Sequence, residues 1–141
     1  MVDLRTAPYG LFLLRLSLGL MWVSHALLKY AVFTLPGFGK YLGSLGLPPA
    51  LAWPIFLVEL IGGLLIMLGI HARQVALALI PVMTGAMMAH VGNGWIFSAP
   101  GGGWEYPAFL IVVCMVVAVS GEGAFALRPA PLVPRLARLA K

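Results

Sequence analysis

The chain has 141 residues, 62% of them hydrophobic and only 9% charged, with a formal net charge of +5. Ordinary soluble domains carry roughly 25% charged and 45–50% apolar residues, so the composition excludes a soluble domain and identifies an integral membrane protein. A single cysteine, Cys114, excludes an internal disulfide, any C-x-x-C redox mechanism and a membrane thiol oxidase.

Four apolar stretches approach the roughly 20 residues that a helix needs to cross a bilayer. The first, 11–33, is opened by Pro8 and Tyr9. Arg15 and His25 interrupt it and no A-x-A site follows, so it reads as a retained span rather than a cleaved signal peptide. Arg15, near its inner edge, is expected to reach out to the headgroups. Segment 36–46, with Phe38, Tyr41, Leu42 and Leu45, reads as a re-entrant or interfacial helix. The second span, 51–70, follows the Pro48-Pro49 break, with Pro54 in its tolerant first turn. The third, 72–91, contains Pro81, which is expected to kink it, and stops at Gly92-Asn93-Gly94. The fourth, 106–120, ends at Gly121-Glu122-Gly123, where Glu122 reads as a boundary residue. The tail 131–141 alternates Leu132, Leu136 and Leu139 with Arg135, Arg138 and Lys141, the spacing of a short amphipathic helix lying on a membrane.

The expected fold is therefore all-α, a single domain over 1–141 forming an antiparallel four-helix membrane bundle. Arg5, Arg15, Arg73, Arg128, Arg135, Arg138 and Lys141 fall on one side, and only Lys29 and Lys40 on the other. That bias predicts both termini in the cytoplasm of a multi-pass protein of a bacterial or archaeal cytoplasmic membrane. The net charge then signals topology and contact with anionic lipid, not nucleic acid.

Ionisable residues inside these spans carry the functional signal, because a charge facing hydrocarbon costs several kcal/mol and such groups turn inward or pair. At 1.5 Å per residue, His25 lies roughly 20 Å above the inner edge and Lys29 roughly 6 Å higher. Trp22, His25 and Lys29 fall at i, i+3 and i+7, on one helix face. Glu59, mid-span, is expected to be either protonated or paired, with His25 or Lys29 as the partner. Gly62 and Gly63 follow it and would admit a neighbouring helix or a flat ligand close to the backbone. His90 and Glu105 flank the loop 91–106 on the same side, and Tyr106 opens the fourth span there. His71 reads as an ordinary boundary residue. Gly101, Gly102 and Gly103 lack the strand–helix context of a phosphate loop.

These stretches also carry a family resemblance. The run from Arg15 through Gly19, Trp22, His25 and Lys29 resembles the first-helix signature of the DoxX family, with Ala26 in place of the usual Gly. The run from Glu59 through Gly62, Gly63 and Gly69 to Arg73 resembles its second motif. Ala89-His90-Val91-Gly92-Asn93-Gly94-Trp95 and Gly103-Trp104-Glu105-Tyr106-Pro107 are similar to the third and fourth. The resemblance covers residues 11–127, in order. The closing pattern departs from it: Ala124 to Arg128 lack the Ser-Leu-Asp usual after Gly-x-Gly, so no role of that acid carries over.

The resemblance implies quinone-dependent redox chemistry, since relatives are subunits of a thiosulfate:quinone oxidoreductase and of an archaeal terminal quinol oxidase, or membrane partners of soluble redox enzymes. The leading expectation is thus a quinone-interacting membrane subunit of an oxidoreductase complex, with other subunits supplying electrons. Glu59, His25 and Lys29 are the candidate catalytic residues: Glu59 relays protons, and His25 or His90 with Lys29 donates to the ring oxygens. His25, Lys29, His90, Trp22, Gly62, Gly63 and Glu105 are the candidate quinone-binding residues. No metal or haem is expected, because His25 and His90 differ in depth by roughly a turn. Two alternatives stand beside it, a non-catalytic anchor or assembly subunit docking a redox enzyme, and a small proton-coupled transporter.

Overall fold

The computed structural model describes residues 3–130. The expected amphipathic tail, 131–141, lies outside the described residues. Five α-helices follow one another: α1 (Ala7–Ala31), α2 (Leu35–Ser44), α3 (Ala52–Leu68), α4 (Ala72–His90) and α5 (Glu105–Ser120). A 3-10 turn, Pro49–Leu51, leads into α3, and another, Val91–Asn93, extends α4. Three helical stretches, Ala7–Ala31, Pro49–Leu68 and Ala72–Asn93, are long and apolar enough to cross a membrane, and Glu105–Ser120 is a shorter apolar helix.

The expected spans and these helices agree to within a few residues, for visible reasons. Pro8 sits in the first turn of α1, where its missing N–H costs nothing, so the helix begins before the apolar run does. Gly69, at φ 66°, ends α3 in the left-handed conformation that a side chain resists. His71 takes the same region at φ 50° and opens α4, its backbone N–H held by the carbonyl of Arg128 at 3.0 Å. Pro81 lies inside α4 and removes one helical amide, while Thr84 Oγ1 donates back to Ile80 O at 2.9 Å. The segment expected to be re-entrant or interfacial is α2, which packs through Leu35 and Leu42 and whose Gly39 meets Pro49.

Helix contacts set the bundle. A Cβ on Gly63 would meet Gly19 O, Trp22 Cβ and Val23 Cγ2, each at 2.9 Å, so α1 and α3 cross where only glycine fits. Gly62, one position earlier, turns instead to Leu79 of α4. Contacts of Arg15 with Met67 and of Lys29 with Glu59 show that α1 and α3 run in opposite senses. Arg73 on the carbonyl of Ala118 shows the same for α4 and α5. Leu18, Trp22, Ile66, Leu79, Cys114 and Val117 form the centre, each almost fully buried.

Arg15 departs from expectation. It does not reach outward but is fully buried, 0% exposed. Its guanidinium donates to Ile66 O (3.0 Å) and Met67 O (2.6 Å) at the end of α3, and to Glu122 O (2.8 Å) and Ala124 O (3.0 Å) beyond α5. Segment 121–128 thereby becomes a strap across the α3–α4 turn, where Leu127 N bonds Leu68 O and Arg128 N bonds Gly69 O, both at 3.0 Å. Glu122 is likewise not a surface boundary residue. It is 5% exposed, and its Oε1 accepts from Arg73 N at 3.5 Å. An arginine covered by four carbonyls needs no solvent, which is why burial wins here over reaching out to the headgroups.

Candidate functional site

The site forms at the end of the bundle away from the strap. Helical phase places Trp22, His25 and Lys29 together on α1, and the Gly19–Gly63 crossing brings that face against α3. Lys29 Nζ meets Glu59 Oε2 at 2.6 Å, with the two side chains only 17% and 5% exposed. Of the two partners open to Glu59, the lysine makes the contact. Phe38 of α2 covers the pair, its ring centroid 5.4 Å from Nζ. A pair this enclosed holds together because removing either charge strands the other in an apolar surround.

His25 donates from Nδ1 to the carbonyl of Met21, one turn back, at 2.9 Å. Its ring stacks on Tyr106 of α5, with centroids 5.5 Å apart and planes 21° from parallel. The Tyr106 hydroxyl is buried and has no hydrogen-bond partner among the described residues, and the same holds for His90 Nδ1. Glu105 Oε1 accepts from Phe97 N at 2.8 Å, and Asn93 Nδ2 donates to Gly101 O (3.1 Å) and Gly102 O (2.9 Å). These bonds fold loop 94–104 back over the end of α4, with Trp95 edge-on against Trp104 at 4.5 Å.

Lys29, Glu59, His25, His90, Glu105 and Tyr106 line one cavity of about 1440 Å³. This exceeds the ~300–1000 Å³ of most small-molecule sites. The cavity is partly open, and exposed apolar side chains stand among its lining residues: Leu28 in α1, Phe33 beyond it, Leu45 after α2, Phe97 in the loop, Phe109 and Val112 on α5. Trp22 also contributes to the wall but is 1% exposed and lies against the Cys114 thiol. Gly62 and Gly63 are not on the wall; helix contact has taken both. The structure thus brings six of the sequence-selected residues to one space (His25, Lys29, Glu59, His90, Trp22, Glu105) and leaves two outside it.

Tyr106 is the residue that the sequence reading did not select for the site. Its one signal was its place in the first turn of α5, beside Glu105, on the side where the other polar groups gather. Among the described residues, no group of three His, Cys, Asp or Glu side chains is placed to hold a metal ion.

Comparison with known proteins agrees with this architecture. The DoxX family pattern matches residues 10–92. A protein of Bacillus subtilis (strain 168) named "Putative oxidoreductase CatD" is 31% identical over 126 residues, covering 85% of each chain. An uncharacterized protein of Haemophilus influenzae is also 31% identical, over 122 residues, covering 85% of this chain and 89% of its own. No solved structure gave a significant match. The chain belongs to the DoxX family of membrane proteins.

Proposed function

We propose that this chain is the quinone-interacting membrane subunit of an oxidoreductase complex, to which a partner protein supplies or from which it withdraws electrons. The observation that carries the reading is a single cavity that holds the Lys29–Glu59 pair, His25, His90 and Tyr106 on its wall and opens between exposed apolar side chains. Polar groups within and an apolar rim match a ligand with a polar ring head and a hydrocarbon tail. The oxidoreductase name of the Bacillus subtilis relative points the same way.

In this reading α5 completes four crossings, and the excess of Lys and Arg on one side puts both termini in the cytoplasm of a bacterial or archaeal cell. A bound quinone supplies two-electron, two-proton carrying chemistry. The chain's own residues bind its ring and manage the protons. Lys29 holds Glu59 at the wall through their 2.6 Å contact, and Glu59 exchanges protons with the cavity beside that ammonium. His90 and Tyr106 offer polar atoms that no group among the described residues satisfies. The His25–Tyr106 stack and Phe38 give flat apolar surface for a ring.

The test is photolabelling of the chain in native membranes with an azido-quinone carrying an isoprenoid tail. Labelled peptides from α1 and α5, abolished by excess unlabelled quinone, are expected. Labelling that does not compete, or that avoids both helices, refutes the reading.

A further inference from the structure

His25 is held in one tautomer, and that fixes what it can recognise. A carbonyl oxygen only accepts, so the 2.9 Å contact of His25 Nδ1 with Met21 O requires the proton on Nδ1. In the neutral ring Nε2 then carries a lone pair and no hydrogen. Nε2 takes no hydrogen bond among the described residues, and the ring lines the cavity. The stack on Tyr106 restrains the ring from turning over, which would exchange the two nitrogens. A bare Nε2 lone pair on a ring that lines a cavity repels a ligand carbonyl and accepts from a ligand hydroxyl.

We propose that His25 Nε2 accepts a hydrogen bond from a ring hydroxyl of the ligand, so that the site takes the hydroquinone form, or a phenol of the same shape, in preference to the quinone. This reverses the role that residue type alone gives a histidine beside a quinone, a donor to its carbonyl. It rests on the quinone reading and narrows it to the redox form that is held.

The experiment is calorimetric titration of the purified chain in lipid nanodiscs, under anaerobic conditions at about pH 8. Decyl-hydroquinone and decyl-quinone share a tail and differ in their hydroxyls. Wild-type protein is expected to bind the hydroquinone about tenfold more tightly, the value of one satisfied against one repelled polar contact. In His25→Phe, which keeps a ring on Tyr106 but no nitrogen, the ratio should fall to within about twofold. Equal binding of the two by wild type, or a preference that survives in His25→Phe, overturns the proposal and leaves the quinone reading standing. Binding of neither by wild type overturns both.

Should His25→Phe fail to fold, nitrogen NMR of histidine-labelled protein in a His71→Gln background decides instead, with the His90 signals assigned beforehand by comparison with ligand-free His90→Gln. The unaltered His25 is expected to show an unprotonated Nε2 whose resonance moves when decyl-hydroquinone is added. A protonated Nε2 with a bare Nδ1, or a resonance that decyl-hydroquinone leaves in place, overturns the proposal.

Discussion

Arg15 Nη1 donates to the carbonyl of Met67 at 2.6 Å, so a side chain from α1 closes the open end of α3. The same guanidinium holds Ile66 O, Glu122 O and Ala124 O. Hydrogen bonds to a charged donor are worth ~1.5–3 kcal/mol each. Replacing Arg15 by Met should therefore cost at least about 3 kcal/mol, since the stranded carbonyls find no other donor. Arg15→Lys, which keeps the charge but not the fork, should fall between. Denaturant unfolding in mild detergent reads both, and a loss below about 1 kcal/mol for Arg15→Met would contradict the buried clasp.

The Lys29–Glu59 contact makes a different kind of prediction, about coupling rather than loss. Lys29→Met alone should destabilise by about 3–5 kcal/mol, because Glu59 is left buried and unpaired. Lys29→Met combined with Glu59→Leu should recover most of that, as apolar replacement of a whole buried pair commonly does. A double-mutant cycle by thermal unfolding measures the coupling. Simple additivity of the two single losses would show that the pair is not enclosed.

Three glycines sort by what surrounds them. At Gly63 a methyl group would press on Gly19 O and Trp22 Cβ, neither of which can move alone, so Gly63→Ala should cost about 1–3 kcal/mol. At Gly62 the neighbour at 3.0 Å is the end of the Leu79 side chain, which can turn aside, and the cost should be smaller by about 1 kcal/mol. Gly10 has nothing within 4 Å, so Gly10→Ala should gain up to about 1 kcal/mol of helix propensity. An order other than Gly63, Gly62, Gly10 in measured stability would show that the α1–α3 crossing is looser than described.

Membrane orientation is checked most directly from the ends. Reporter fusions that report export or retention, placed after residue 130 and within loop 94–104, should give a cytoplasmic signal for the first and an external one for the second. Reversing the charge bias, by placing lysines in the loop and neutralising Arg5 and Arg73, should weaken or invert the pattern. An exported C-terminus in the unaltered chain would contradict the cytoplasmic placement of the termini.

Much of the fold was legible because its signals are local. Pro8, Pro48-Pro49 and Gly69 punctuate the apolar runs, and the helices begin or end within a few residues of where those runs are read. The face bearing His25 and Lys29 follows from helical phase, and the cost of an unpaired mid-span carboxylate narrowed Glu59 to two partners. Arg15 was misread because its environment is assembled from afar: Glu122, which supplies one of its carbonyls, lies 107 positions along the chain. From α1 alone, an arginine near a span's edge looks the same whether it faces headgroups or a strap. Gly62 and Gly63 failed differently. Their smallness was visible, but only the packed bundle reveals that neighbouring helices occupy the space a ligand would need. Tyr106 joined the site because α5 lies beside α1, a relation that no periodicity within either helix encodes.

The exposed apolar residues in the cavity lining, among them Leu28, Phe33, Phe109 and Val112, have a consequence for how occupancy by the proposed ligand is set. On the proposed reading the ligand arrives dissolved in the bilayer, so the quantity expected to govern filling is its mole fraction among lipids, not its molarity in the surrounding water. Adding empty lipid or detergent at fixed ligand then dilutes the ligand and empties the site. In the proposed function, the size of the lipid-soluble pool per unit membrane area would then act as the dial.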